Sequence, residues 1–301
     1  MLDVDSTIHL VSQMNPLDRV AVIVDSAASL PDWAMDDPLL HVVPMQLVIG
    51  GRTYLDGKEM SPTEFYRLQK GLSQAATTAA PTPQNYASAF EAAALSSSSI
   101  LCLCVARRYS VAHDSALLAV RRAQQSLPDV KIAALDSGSA AGGEGLIALE
   151  ALRAANRGLD LTEVVKAARE VADKVSLVAF LDTLYYVWKG GRVPRLAYAS
   201  ASLLGLKPMF ELASGEVRAI GRPRTRARAM RRLVDAMRKR VGDRPVHVGV
   251  MHGDCPEEAQ ELRQVVELEF DCRGLFVSEF TPVMGAHTGP GLLGLAFWAQ
   301  R

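Results

Sequence analysis

Arg19-Val-Ala-Val-Ile-Val24, closed by Asp25-Ser26, reads as a short buried strand that ends in two polar residues. The same pattern returns at 100–105 and again at 131–135, where Asp136-Ser137-Gly138 closes it. Helical segments fall between and after these runs, over 84–95, 114–126 and 142–156. Strands that alternate with helices predict a parallel, doubly wound sheet with helices on both faces. Working outward from this frame, 41–49 reads as another strand, and Gly50-Gly51 as a two-residue hairpin turn into 52–55. Ser61 followed by Pro62 marks a capped helix over 62–71. Residues 75–83 read as a loop.

The pattern changes after Arg157-Gly158 and a helix over 161–174. An apolar stretch covers 175–188, and Ser214-Gly215 signals a hairpin between 208–213 and 216–220. A basic helix (225–241), a strand (246–251), an acidic helix (257–269) and a strand (275–283) follow. This half is expected to be α+β with antiparallel pairing. The fold class is therefore α/β in two domains, 19–160 and 161–301, preceded by an extension over 1–18.

Of the 301 residues, 49% are hydrophobic and 22% charged, as in an ordinary globular protein. Formal net charge is zero, with 33 basic and 33 acidic residues, which argues against a nucleic-acid binder. No apolar run approaches the roughly 18–20 residues of a membrane span. Residues 1–18 carry early acids and no basic or long apolar region, so no signal peptide is expected and the protein is read as cytoplasmic. Cys102, Cys104, Cys255 and Cys272 have no metal or redox spacing and read as reduced thiols. Charge is uneven along the chain: 216–244 holds 11 basic and 3 acidic residues, and 254–271 holds 7 acidic and 1 basic. On the basic helix, Ala227, Met230, Leu233, Val234, Met237 and Val241 form an apolar stripe at helical spacing.

Polar residues at strand ends are the candidates for chemistry, because open α/β sheets bind ligands there. Asp25-Ser26, Thr77-Thr78, Tyr109-Ser110 and Asp136-Ser137 qualify. Near the chain end, Gly285-Ala-His287-Thr-Gly289-Pro-Gly291 reads as a loop in which glycines allow close approach to a small anion and His287 supplies a polar group. Lys189-Gly-Gly-Arg192 pairs glycines with a guanidinium, and Arg224-Thr225 opens the basic helix. No GxGxxG follows the first strand, and no P-loop, GxSxG elbow or metal-binding histidine spacing is present.

These pieces resemble the DegV family of bacterial fatty-acid-binding proteins. The resemblance rests on Val24-Asp25-Ser26, Val43-Pro44-Met45, Tyr54-Leu55-Asp56-Gly57, Thr78-Ala79-Ala80-Pro81, Tyr109-Ser110-Val111-Ala112, Asp136-Ser137, Lys189–Arg192, Gly205-Leu206-Lys207-Pro208, Arg224-Thr225 and Gly285–Gly291, in the family's order from about residue 20 to 297. It implies a long-chain fatty acid as bound ligand, no other cofactor and no metal, with a lipid pocket between the domains. It also implies that Thr78, Ser110, His287 and Arg224 hold the carboxylate. Arg192 is implied to face a partner, with Gly285 and Gly289 near the head group. The partner is a separate ATP-dependent fatty acid kinase; the chain itself is not an enzyme and does not insert stably in a membrane. The alternative reading is an acyl hydrolase or transferase using Ser110 and His287. Ala79, Ala80, Val111 and Ala112 depart from the family's Ser, Gln, Gly and Thr at those positions.

Overall fold

The computed structural model describes residues 19–72, 75–192 and 205–300; the expected extension over 1–18 lies outside them. Strands β1 (Val20–Asp25) and β2 (Leu40–Val43) pair in parallel. β3 (Gln46–Ile49) turns at Gly50-Gly51 into β4 (Arg52–Leu55), with Ile49 opposite Arg52. Both glycines have positive φ, 56° and 82°, the geometry a two-residue I′ hairpin requires. Next come α1 (Pro62–Gln69), β5 (Thr77–Ala79), α2 (Pro83–Ala94), β6 (Ser99–Cys104), α3 (Ala112–Ser126), β7 (Lys131–Asp136), α4 (Ala141–Asn156) and α5 (Leu161–Ala172). Ser61 caps α1 through a reciprocal pair with Glu64, so the expected helix start holds.

The first sheet runs β2-β1-β6-β7, all parallel. Alternation along β1 shows how it is buried on both faces. Val20, Val22 and Val24 enter one core with α4 and α5; Ala21 and Ile23 enter another with Tyr86, Phe90 and Ala116 of α2 and α3. Cys102 and Cys104 pack in the second of these cores, and all four cysteines are free thiols. Connections leave β1 toward β2 on one side and β6 on the other, so the point between β1 and β6 is where the strand order reverses. The carboxylate of Asp25 spans that point, accepting from the amides of Ala27 (3.1 Å) and Val105 (2.9 Å).

The rest of the chain comprises β8 (Ser176–Phe180), α6 (Tyr185–Gly190), β9 (Met209–Ala213), β10 (Glu216–Gly221), α7 (Arg226–Val241), β11 (Val246–His252), α8 (Pro256–Glu269), β12 (Cys272–Glu279), α9 (Pro282–Thr288) and β13 (Leu293–Ala299). Its sheet is ordered β10-β9-β8-β13-β11-β12, antiparallel except for the β11–β12 pair. Helices α4 and α5 share one core with both sheets: Leu177, Leu212, Phe276 and Trp298 join Val20, Leu101 and Leu146. The sequence reading assigns α5 to the second domain; in packing, it lies against β6 and β7 of the first sheet. Among the described residues, no helix is long and apolar enough to cross a membrane.

Four local expectations need correction, and one strand is absent from the sequence reading. The single strand expected over 41–49 is two, β2 and β3, which pair in different sheets. Residues 77–79 form a strand instead of a loop, because they zip antiparallel onto β3. The strand expected over 275–283 stops at Glu279, and Pro282 starts a helix. β13 is a further strand, and it lies between β8 and β11. On α7 the buried small residue is Ala229, while Ala227 is exposed.

Candidate functional site

A cavity of about 200 Å³ opens at the carboxyl ends of β1 and β6 and extends between the two sheets. That is more than ten times the roughly 10–15 Å³ one buried water requires on a comparable measure. Ala27 and Val105 line it at the first sheet. Leu177 and Ala179 line it from β8 and Leu181 from just beyond it, and Phe210, Leu212 and Val217 from the β9–β10 hairpin. The polar lining side chains are Thr78, Tyr109, Ser110, Arg192, His287 and Thr288. Tyr109 donates its hydroxyl to the carbonyl of Gly215 (3.0 Å), tying the loop after β6 to that hairpin.

Each polar side chain has a local cause. Thr78 is fixed by the pairing of β5 with β3, opposite Leu47. Ser110 sits ahead of α3, and its Oγ accepts from the Ala112 amide (3.1 Å), which leaves its own hydrogen free to donate. His287 stands in the last turn of α9, where a loop was expected. The helix forms because Pro282 suits the first position, and the carboxylate of Asp56 accepts from the Val283 amide (3.0 Å) in place of a local cap. Asp56 also accepts from Ser26 Oγ (2.6 Å), so the end of β1 holds the start of α9. Burial pushes the carboxyls of Asp25 and Asp56 up to about 6.

Thr78 Oγ1 and His287 Nε2 lie 2.8 Å apart. The other ring nitrogen faces Gly190, where a Cβ would overlap it, and makes no hydrogen bond among the described residues. Burial, and after it the charge of Arg192, pushes the imidazole down to about 4, so His287 is neutral at pH 7. Arg192 is exposed, lines the cavity and donates to the carbonyl of Gly190 (2.8 Å).

The structure thus brings Thr78, Ser110, His287 and Arg192 to one cavity. It does not bring Arg224, which is exposed and outside the lining. Gly285 and Gly289 lie behind the wall. A Cβ at Gly285 would meet Tyr66 Oη at 2.7 Å and Phe65 Cε1 at 2.9 Å. Gly289, with φ of +76°, packs on the ring of Tyr186. Tyr109 and Thr288, which the sequence reading places beside Ser110 and His287, line the cavity as well; that reading missed the apolar wall of β8, β9 and β10. Leu177, Ala179 and Leu181 alternate, and that period was a usable signal for one face of a strand.

The family model described as "Uncharacterised protein, DegV family" matches residues 19–300. The chain belongs to the DegV family. A DegV domain-containing protein of Streptomyces coelicolor is 34% identical over 280 residues, covering 92% of this chain and 97% of the relative. Among solved DegV structures, one from Thermus thermophilus, described by its fatty acid binding, superposes with a TM-score of 0.84 at 26% identity, covering 94% of this chain and all (100%) of that one. The Streptococcus pneumoniae Fatty Acid Kinase (Fak) B3 protein, solved loaded with linoleic acid, superposes at 0.82 with 20% identity, covering 94% and 100% of the two chains. At that identity the second likeness concerns the DegV fold.

Proposed function

We propose that this DegV protein binds a long-chain fatty acid and presents it to a separate ATP-dependent fatty acid kinase, without being an enzyme itself. In this reading Thr78, Ser110 and His287 hold the carboxylate, Arg192 stands at the mouth facing the partner, and the acyl chain lies along the apolar wall. Arg224 is not part of the proposed head-group set. The observation that carries the reading is a deep apolar cavity whose few polar residues include the hydrogen-bonded Thr78–His287 pair. The fatty acid bound by the Thermus thermophilus relative supports it.

The energetics agree with that division of labour. Ten buried methylenes contribute about 8 kcal/mol gross, at about 0.8 kcal/mol each. Association and ordering costs reduce this. A carboxylic acid with a pKa of about 4.3 is ionised at pH 7 and needs donors once buried. Hydroxyls provide them: if His287 Nε2 carries the ring proton and donates to Thr78 Oγ1, the threonine hydrogen is free for the ligand. The hydrolase alternative needs His287 on Ser110. The histidine is instead bonded to Thr78, and the carboxylate of Asp25 is engaged by backbone amides.

Protein made in lipid-replete cells, extracted under denaturing conditions, should release one fatty acid per chain by mass spectrometry. Finding no acyl chain overturns the reading. Thr78→Ala and Ser110→Ala should each weaken retention about tenfold or more, as loss of a charge-assisted hydrogen bond costs about 1.5–3 kcal/mol, with unchanged circular dichroism. Acyl phosphate should appear on adding ATP and a fatty acid kinase, and not with ATP alone.

A pH dependence follows from His287. In the ligand-free chain its imidazole titrates at about 4. A bound carboxylate favours the protonated ring, so the loaded chain titrates higher and binds more protons between the two values. Affinity should therefore rise as pH falls from the loaded value toward 4. NMR titration of the His287 ring with and without fatty acid checks this; identical curves would place the carboxylate elsewhere.

A further inference from the structure

The guanidinium of Arg226, two residues beyond the arginine that the sequence singles out, has all five of its N–H groups engaged. Nε donates to Glu258 Oε1 (2.6 Å) and Nη2 to Glu258 Oε2 and to Cys255 Sγ (3.7 Å). Nη1 donates to Asp182 Oδ1 (2.6 Å) and to the carbonyl of Gly291 (2.8 Å). The ring of Phe180 lies beneath it, 4.9 Å from the guanidinium carbon to the centroid. Two carboxylates neutralise its charge, and no N–H remains for a ligand. Arg226 is therefore unsuited to bind the fatty-acid head group directly.

Its contacts converge on one turn. Gly291 lies between α9 and β13, and its amide donates to the carbonyl of Gly253 (2.6 Å). Its φ is +81°, and a Cβ there would meet Asp182 Oδ2 at 2.5 Å, so the carboxylate sits on the backbone of the turn. The next residue, Leu292, lines the cavity; so do Thr288 and His287 just before the turn, and Leu181 just before Asp182. Asp56 secures the start of α9, and the turn that follows the helix is secured from α7 and from Asp182 just after β8.

We infer that Arg226 is a positioning residue for the fatty-acid site, fastening the turn behind the His287 helix to the exit of β8 and to α8. This rests on the function proposed above. A lysine cannot reproduce it, since one ammonium lacks the planar fork that reaches Glu258, Asp182 and Gly291 together.

The test compares Arg226→Met and Arg226→Lys with Leu262→Ala. Leu262 is fully buried on α8, in the core behind the sheet and away from the cavity, so its truncation lowers stability without touching the site. Two quantities are measured: oleate affinity, and the NMR titration of the His287 ring in ligand-free protein. With the turn released and water admitted, Arg226→Met should weaken oleate binding about tenfold or more and raise the His287 titration by about one pH unit or more toward its unperturbed value. Arg226→Lys should fall between that variant and wild type, and it decides the matter if the methionine variant does not fold. Leu262→Ala should leave both quantities at wild-type values. Arg226 variants that match Leu262→Ala in both would overturn the inference. If wild-type protein binds no oleate, the fatty-acid reading fails on its own, and the His287 titration still decides whether Arg226 holds the turn.

Discussion

Ala179→Phe is expected to abolish retention of an acyl chain while leaving the fold intact. Ala179 lies in β8 between Leu177 and Leu181, on the face these three share, and all three line the cavity. A benzyl group there enters open space along the wall. If it denies burial to five methylenes, the loss is about 4 kcal/mol at about 0.8 kcal/mol each. That is roughly a thousandfold in affinity, far more than the tenfold expected from one missing head-group hydroxyl. Forcing a large side chain into a filled core costs about 1–3 kcal/mol; here the ring has a cavity to occupy, so the cost should lie at the low end. Extraction and mass spectrometry read the retained lipid, and a denaturation curve reads the fold. A variant that folds and still carries one fatty acid per chain would show that the acyl tail does not run along β8.

The contrast between β1 and β13 shows what the sequence made legible. Both are apolar strands buried in a sheet centre. β1 was readable because Asp25-Ser26 ends it and a helix-rich stretch with repeated strand patterns follows. β13, Leu293-Gly-Leu-Ala-Phe-Trp-Ala299, is an unbroken apolar run just after Pro290-Gly291, with no alternation to separate strand from buried helix. Its identity comes from antiparallel pairing with β8 and β11, which are remote in sequence. β5 failed for the opposite reason: three residues are too few for a period, and β3 alone makes them a strand. The candidate site divides in the same way. Thr78, Ser110, Arg192 and His287 stand beside strand ends or glycines, where local pattern points to a ligand. The apolar wall, the anchoring of α9 by Asp56 and the clamp of Arg226 depend on contacts across 30 or more residues. Arg224 illustrates the limit: it and Arg226 look alike in sequence, yet only Arg226 turns inward, because Asp182 and Glu258 stand where its side chain can reach them.

Gly289→Ala is expected to cost about 2–6 kcal/mol of stability, and the size should separate two causes. The first is backbone: at φ of 76° and ψ of 173°, a region essentially open to glycine alone, an L-residue is strained by about 1–3 kcal/mol. The second is steric: the new Cβ would overlap the ring of Tyr186, which is itself packed edge-on against Tyr185 with centroids 5.1 Å apart. Overpacking of this kind costs about 1–3 kcal/mol. Gly242, at the end of α7, provides the control, since its φ is +59° and a Cβ there would meet nothing within 4 Å. Gly242→Ala should therefore carry the backbone cost alone. The two denaturant midpoints, with equal m-values, give the difference directly. The ligand adds a second axis. Tyr186 belongs to α6, whose Val187 lines the cavity and whose Gly190 abuts His287, so a displaced ring disturbs the wall on both sides. Gly289→Ala should then lose fatty-acid affinity as well as stability, whereas Gly242→Ala should lose stability alone. Equal losses in the two variants would mean that Tyr186 yields freely, and that Gly289 matters for its backbone only.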